Sequence, residues 1–117
     1  MPETFEPLDE PFATADAQAP VLAYDGETLQ ARFLDWQERA VQLTFLEVVA
    51  FSWDDGDTAA CQGHRDDTSY IVSGSEWLRR HIDVGTINAT GSHRHYKLCF
   101  NVVGVLQVIA AELRVSR

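Results

Sequence analysis

His93 and His95 are separated by a single residue, and strand geometry would put both imidazoles on one face. Cys61 and His64 stand at C-x2-H, which is also a ligand spacing. A site drawn from Cys61, His64, His93 and His95 would suit a transition metal such as zinc, and with it a small metal-dependent enzyme. The specific zinc signatures, paired knuckles or H-E-x-x-H, are absent. The plainer reading of the histidine pair is a solvated, mildly basic strand edge, so no cofactor is expected.

A second group is acidic. Asp54, Asp55, Asp57, Asp66 and Asp67 fall in one polar stretch, DDGDTAACQGHRDD. Calcium loops want acids at alternate positions, a central glycine and a bidentate glutamate at the twelfth, and this order is missing. The same aspartates would instead present a negative rim to a basic protein. Glu47 interrupts an apolar run, and burial there would poise it for proton transfer. A bulge at that point would turn it to solvent. Cys99, inside another apolar run, reads as a small buried hydrophobe, since no activating base or cysteine-hydrolase signature accompanies it. No G-x-S-x-G, phosphate-binding loop or dinucleotide fingerprint occurs. Trp36, Trp53 and Trp77 read as core and sheet packing.

These residues need strands to hold them. From Tyr96 the apolar positions alternate through Leu98, Phe100 and Val102, and resume after Gly104 as Val105, Ile109, Ala111, Leu113 and Val115. Only Gln107 breaks the second series. A period of two is the strand period, so His93–Val115 is predicted as a β-hairpin, with Asn101–Gly104 as its turn and Gly104 free to adopt a positive φ. Upstream, Thr28–Trp36 alternates as a strand, although Leu29, Phe33 and Trp36 also fit a helical face. Ala40–Trp53 is the longest strand candidate, apolar on both parities, as for a central strand or one with a bulge near Leu46–Val48. Tyr70–Val72 is a short strand. Ser73-Gly74-Ser75-Glu76 has the S-x-x-E spacing of a capping box, which predicts a helix over Glu76–His81 with Trp77 and Leu78 toward the core. Four prolines in residues 1–20 forbid a regular helix or central strand there, leaving an acidic arm pinned by Phe5, Leu8 and Phe12.

The expected architecture is therefore strand-dominated α+β: an antiparallel, meandering sheet of four to six strands with one short helix. Residues 1–20 form the arm and residues 21–117 a single domain. Of 117 residues, 45% are hydrophobic and 23% charged, ordinary values for a globular chain. The net charge is −9, with −5 in residues 1–20, −7 in 21–73 and +3 in 74–117. That balance argues against a nucleic-acid partner, which wants a basic footprint. No apolar run approaches the roughly 20 residues of a membrane helix. The acidic N-terminus lacks a secretory pattern, and two cysteines are too few for a disulfide framework, so a cytoplasmic location with reduced thiols is expected. The hydrophobic pattern of Leu43–Phe51, Tyr70–Leu78 and HYKLCFNVVGVLQVIA resembles that of small bacterial proteins, some of which serve as immunity partners of toxins. No functional residue is carried over by that resemblance. The favoured expectation is a non-enzymatic protein-binding module for a basic protein partner, or a homodimer that covers a sheet face. The metal-dependent enzyme is the alternative.

Overall fold

The computed structural model describes residues 3–55, 68–87, 91–101 and 103–116. Their elements are β1 Thr4–Pro7, β2 Val21–Tyr24, β3 Leu29–Leu34, β4 Ala40–Leu46, β5 Ala50–Asp55, β6 Ser69–Ser73, α1 Glu76–Asp83, β7 Arg94–Phe100, β8 Gly104–Ala110 and β9 Glu112–Ser116. All strand pairs are antiparallel, so the strand-dominated α+β class is what the chain builds. The strands divide into two sheets, ordered β1-β6-β7-β8-β5 and β2-β3-β4-β9. Among the described residues no helix is long and apolar enough to cross a membrane.

The core lies between the sheets. From the four-stranded sheet come Leu29, Ala31, Phe33, Val41, Leu43 and Phe45; from the five-stranded sheet, Tyr96, Leu98, Phe100, Leu106, Val108 and Ala110. Each such side chain, fully buried, contributes on the order of 1.5–3 kcal/mol for the larger aliphatics and phenylalanine. Edge-to-face ring pairs join the layers: Phe33 meets Phe100 at 5.1 Å, and Phe45 meets Tyr96 at 5.5 Å between centroids. The predicted hairpin is β7–β8 as far as Ala110, the centre of the larger sheet, and it is apolar on both sides because both sides are covered; Leu113 and Val115, expected on its second strand, instead lie on β9 and pair with β4 in the other sheet. On its second face Tyr70, Cys99 and Val105 cluster with Phe5, and Trp77 of α1 packs on His95.

Three local expectations are corrected. Ala40–Trp53 is not one strand: β4 and β5 belong to different sheets. The chain turns between them at Glu47, whose φ is 54° and whose side chain is exposed. That removes the buried-carboxylate reading of Glu47. The apolar residues on both parities there serve two sheets rather than two faces of one strand. Next, the capping hydroxyl belongs to Ser75, not Ser73. Ser73 ends β6, Gly74 turns the chain at φ 73°, and Ser75 Oγ accepts from Leu78 N at 3.1 Å. Glu76 is thus the first helical residue, too early to close a capping box. The helix runs one residue pair further than expected, to Asp83. Finally, Gly104 is needed for space, not for a positive φ. A Cβ there would lie 2.5 Å from the Asp54 carbonyl oxygen and 2.5 Å from the Trp53 indole.

The arm is built into the fold. β1 pairs with β6 as an edge strand, and Leu8 and Phe12 pack against the core. Phe5 sits edge-on to Tyr70 at 6.0 Å, with Lys97 Nζ 5.0 Å from its ring centroid.

Candidate functional site

Two places gather chemistry-bearing residues. The first is under α1. His95 is 5% exposed, and both ring nitrogens are engaged: Nδ1 lies 2.7 Å from Ser75 Oγ and Nε2 2.8 Å from Gln107 Oε1. The network assigns the tautomer. The Gln107 amide oxygen can only accept, so Nε2 carries the proton and Nδ1, left as the acceptor, takes the Ser75 O–H, whose oxygen also accepts from Leu78 N. Gln107 lies opposite Lys97, one step along the face from His95. Burial pushes the His95 pKa below its ordinary value and neighbouring Lys97 adds to this, against the opposing effects of Gln107 and of Glu3.

Serine, histidine and an orienting amide in series have the connectivity of a nucleophile, a base and its support. Ser75, however, is buried and its hydroxyl caps the helix, so the arrangement positions α1 on β7. It has a pH signature. A histidine held neutral in the fold takes up a proton more readily when unfolded. Its stability contribution is complete above pH 6.5 and is lost as pH falls from there through the lower, folded-state pKa. The wild type is expected to lose stability over that window at no more than about 1.4 kcal/mol per pH unit from this group. His95→Gln should flatten that limb in urea titrations between pH 7 and pH 5; an unchanged slope would contradict the assignment.

His93 is set apart from this network. Its Nε2–H donates to the Glu47 carbonyl at 3.0 Å, tying the head of β7 to the β4–β5 bend. Cys61 and His64, the other two members of the four-ligand set, lie outside the described residues. Among the described residues no group of three or more His, Cys, Asp or Glu side chains is gathered for a metal.

The second place is one end of the sandwich. Asp54 and Asp55 close β5 and are exposed, opposite Val105 and Gly104 at the start of β8. Asp57, Asp66 and Asp67 lie outside the described residues. In the β7–β8 turn, Asn101 Nδ2 donates to Asp16 Oδ1 at 3.0 Å, and Asp16 N donates back to Asn101 Oδ1 at 2.7 Å. Two residues on, Gln18 N donates to Leu34 O at 3.0 Å, which brings the end of β3 to the same place.

The turn that follows, between β3 and β4, is organised by Asp35. Its Oδ1 accepts from Gln37 N and Arg39 N, both at 2.9 Å, and its Oδ2 from Arg39 Nε at 3.0 Å. Burial pushes the Asp35 carboxyl up, but the Arg39 and Gln37 amides and the Arg39 guanidinium outweigh it and hold the pKa below the ordinary value. Glu38 takes φ 60° there. This rigid turn presents Trp36 to solvent at 57% exposure, a correction to its reading as a packing residue. Trp53 and Trp77 do pack, on Phe100 and His95. Beside the turn, a groove of about 490 Å³ opens on the smaller sheet, lined by Ala19, Val21, Arg32, Leu34, Ala40 and Gln42 among others.

No family model, curated protein or solved structure matches the chain.

Proposed function

We propose that the chain is a non-enzymatic binding module that docks a basic protein through its acidic end. The observation that carries this is Trp36, more than half exposed on a turn locked by Asp35, at the same end as the exposed carboxylates of Asp54 and Asp55. Asp16 and Glu38 add to that rim. An exposed tryptophan is costly to leave in water and is among the residues most enriched at binding hot spots, because it offers large area for little conformational entropy. A turn fixed by three hydrogen bonds to one carboxylate presents it already ordered. The net charge of −9 favours a cationic partner and would steer its approach.

The test begins with native mass spectrometry of untagged protein isolated gently from its host, followed by kinetics with the recovered partner. The expected species is a heterocomplex with a basic protein, whose association rate falls at least about tenfold between low and high salt. Trp36→Ala should weaken it by about 30-fold or more with the fold intact, since the indole is largely outside the core. Asp54→Asn with Asp55→Asn should slow association and leave dissociation nearly unchanged. The proposal fails if no heterocomplex is recovered, if association ignores salt, or if Trp36→Ala binds as the wild type does. A stoichiometric transition-metal adduct would instead favour the metal-dependent alternative, with His93 and His95 the first residues to replace.

A further inference from the structure

Each sheet has two edges, and three of the four are defended. Unpaired strand edges invite pairing with another chain, and proteins blunt them with charge, proline or cover. β1 carries Glu6 and Pro7; β9 carries the Glu112–Arg114 ion pair; β5 is half-buried over its first four residues and ends in Asp54 and Asp55. β2, VLAY, has neither charge nor proline, and Val21 and Tyr24 are 65% and 44% exposed.

The ladder shows which of its backbone groups face outward. Asp25 N donates to Thr28 O at 3.2 Å, so the odd-numbered residues Val21, Ala23 and Asp25 bond inward to β3, opposite Arg32, Gln30 and Thr28. Leu22 and Tyr24 therefore direct both N–H and C=O away from the sheet, and among the described residues no strand meets them. The turn that follows the edge is closed by Asp25. Asp25 Oδ1 accepts from Glu27 N at 3.0 Å and from Thr28 N at 2.7 Å.

We propose that β2 pairs antiparallel with β2 of a second copy of this chain, about a two-fold axis through Ala23, joining the two four-stranded sheets into one of eight strands. In that register Leu22 of each copy faces Tyr24 of the other and exchanges both backbone hydrogen bonds, four in all. The apolar rings and methyls of Leu22 and Tyr24 then adjoin on one face, and Val21 and Ala23 on the other. Charge is compatible with this occupant: Asp25 falls opposite Val21 of the second copy, not opposite an acid. Pro20, which has no N–H to give, would stand opposite Gly26 and ends the pairing there. Five paired residues per copy, Val21 to Asp25, bury less than a standard interface, so the dimer is weak and concentration-dependent. It uses none of the residues of the acidic end, which is made by the β3–β4 turn and the end of β5.

Sedimentation equilibrium from about 10 μM to 1 mM spans the relevant range of affinity. The wild type should pass from monomer to dimer. Ala23 is exposed, so Ala23→Lys and Ala23→Glu keep the fold while each places like charges together on the axis. Each variant alone should dimerise at least about tenfold more weakly, and an equimolar mixture should recover a one-to-one heterodimer. Trp36→Ala should dimerise as the wild type does, which separates this surface from the binding end. A wild type that stays monomeric at 1 mM overturns the proposal, as does undiminished self-association of both Ala23 variants or a mixture that recovers nothing.

Discussion

Gly104→Ala is expected to lower stability by about 2–3 kcal/mol, measured by urea unfolding at neutral pH. The added methyl has no room. It would lie 2.5 Å from the Asp54 carbonyl oxygen, a backbone atom held in the β5–β8 ladder, and 2.5 Å from the Trp53 ring. The indole is not free to yield either. Its N–H donates to the Asp55 carboxylate, and its ring packs edge-on against Phe100 at 5.9 Å, which in turn packs on Phe33. Relief therefore requires β5 to move away from β8, or the rings at that end to repack. Either response shifts Asp54 and Asp55, so the variant should also weaken any partner that uses them. A loss below about 0.5 kcal/mol would mean that the two strands separate more easily than their packing implies.

The same glycine shows how far the sequence could be read. Its position after an alternating run marks a hairpin turn, and the turn is there. What the residue does in the turn depends on β5, a strand whose pairing with β8 no local pattern announces. β4 and β5 illustrate the converse. Leu46, Val48 and Ala50 are apolar on one parity, and Val49, Phe51 and Trp53 on the other, which looks like one strand buried on both faces. The break is a single left-handed residue, Glu47, whose backbone conformation has no sequence signature of comparable weight. β2 was hidden for another reason. Four residues next to an Asp-Gly turn are too short for a periodic signal.

The two candidate places were legible in part. Gln107 is the lone polar interruption of the apolar parity on β8, and His95 breaks the same face of β7. In the fold they are each other's partner. Two polar residues that interrupt one buried face have strong reason to meet, because each would otherwise be desolvated alone. Trp36 was unreadable as an exposed residue, since an aromatic at the end of an alternating strand looks like core. The usable sign was Asp35 before it, a residue whose carboxylate commonly closes a turn on the amides that follow.

Ser75→Ala should cost about 2–4 kcal/mol, an unusual loss for a side chain of one polar atom. Two separate terms add. Loss of the N-cap acceptor leaves Leu78 N without its partner, typically about 1 kcal/mol. Loss of the hydroxyl donor leaves Nδ1 of a buried imidazole unpaired, about 1–3 kcal/mol more. Ser75→Gly separates the terms, since glycine is an acceptable N-cap residue and sacrifices only a few tenths of a kcal/mol there. What remains in that variant belongs to His95. Gln107→Ala strips the other nitrogen, and because both substitutions act on one ring, the double variant should fall short of the summed losses by about 0.5–3 kcal/mol. Strict additivity would mean that the three groups do not form one network. Hydrogen exchange locates the effect: amides of Glu76–Asp83 should lose more protection in Ser75→Ala than those of β3 and β4, whose loss is bounded by the fall in global stability. Trp36 lies at the end of that second sheet, so a basic partner should still bind the weakened protein, which distinguishes a residue that holds the helix from one that meets the partner.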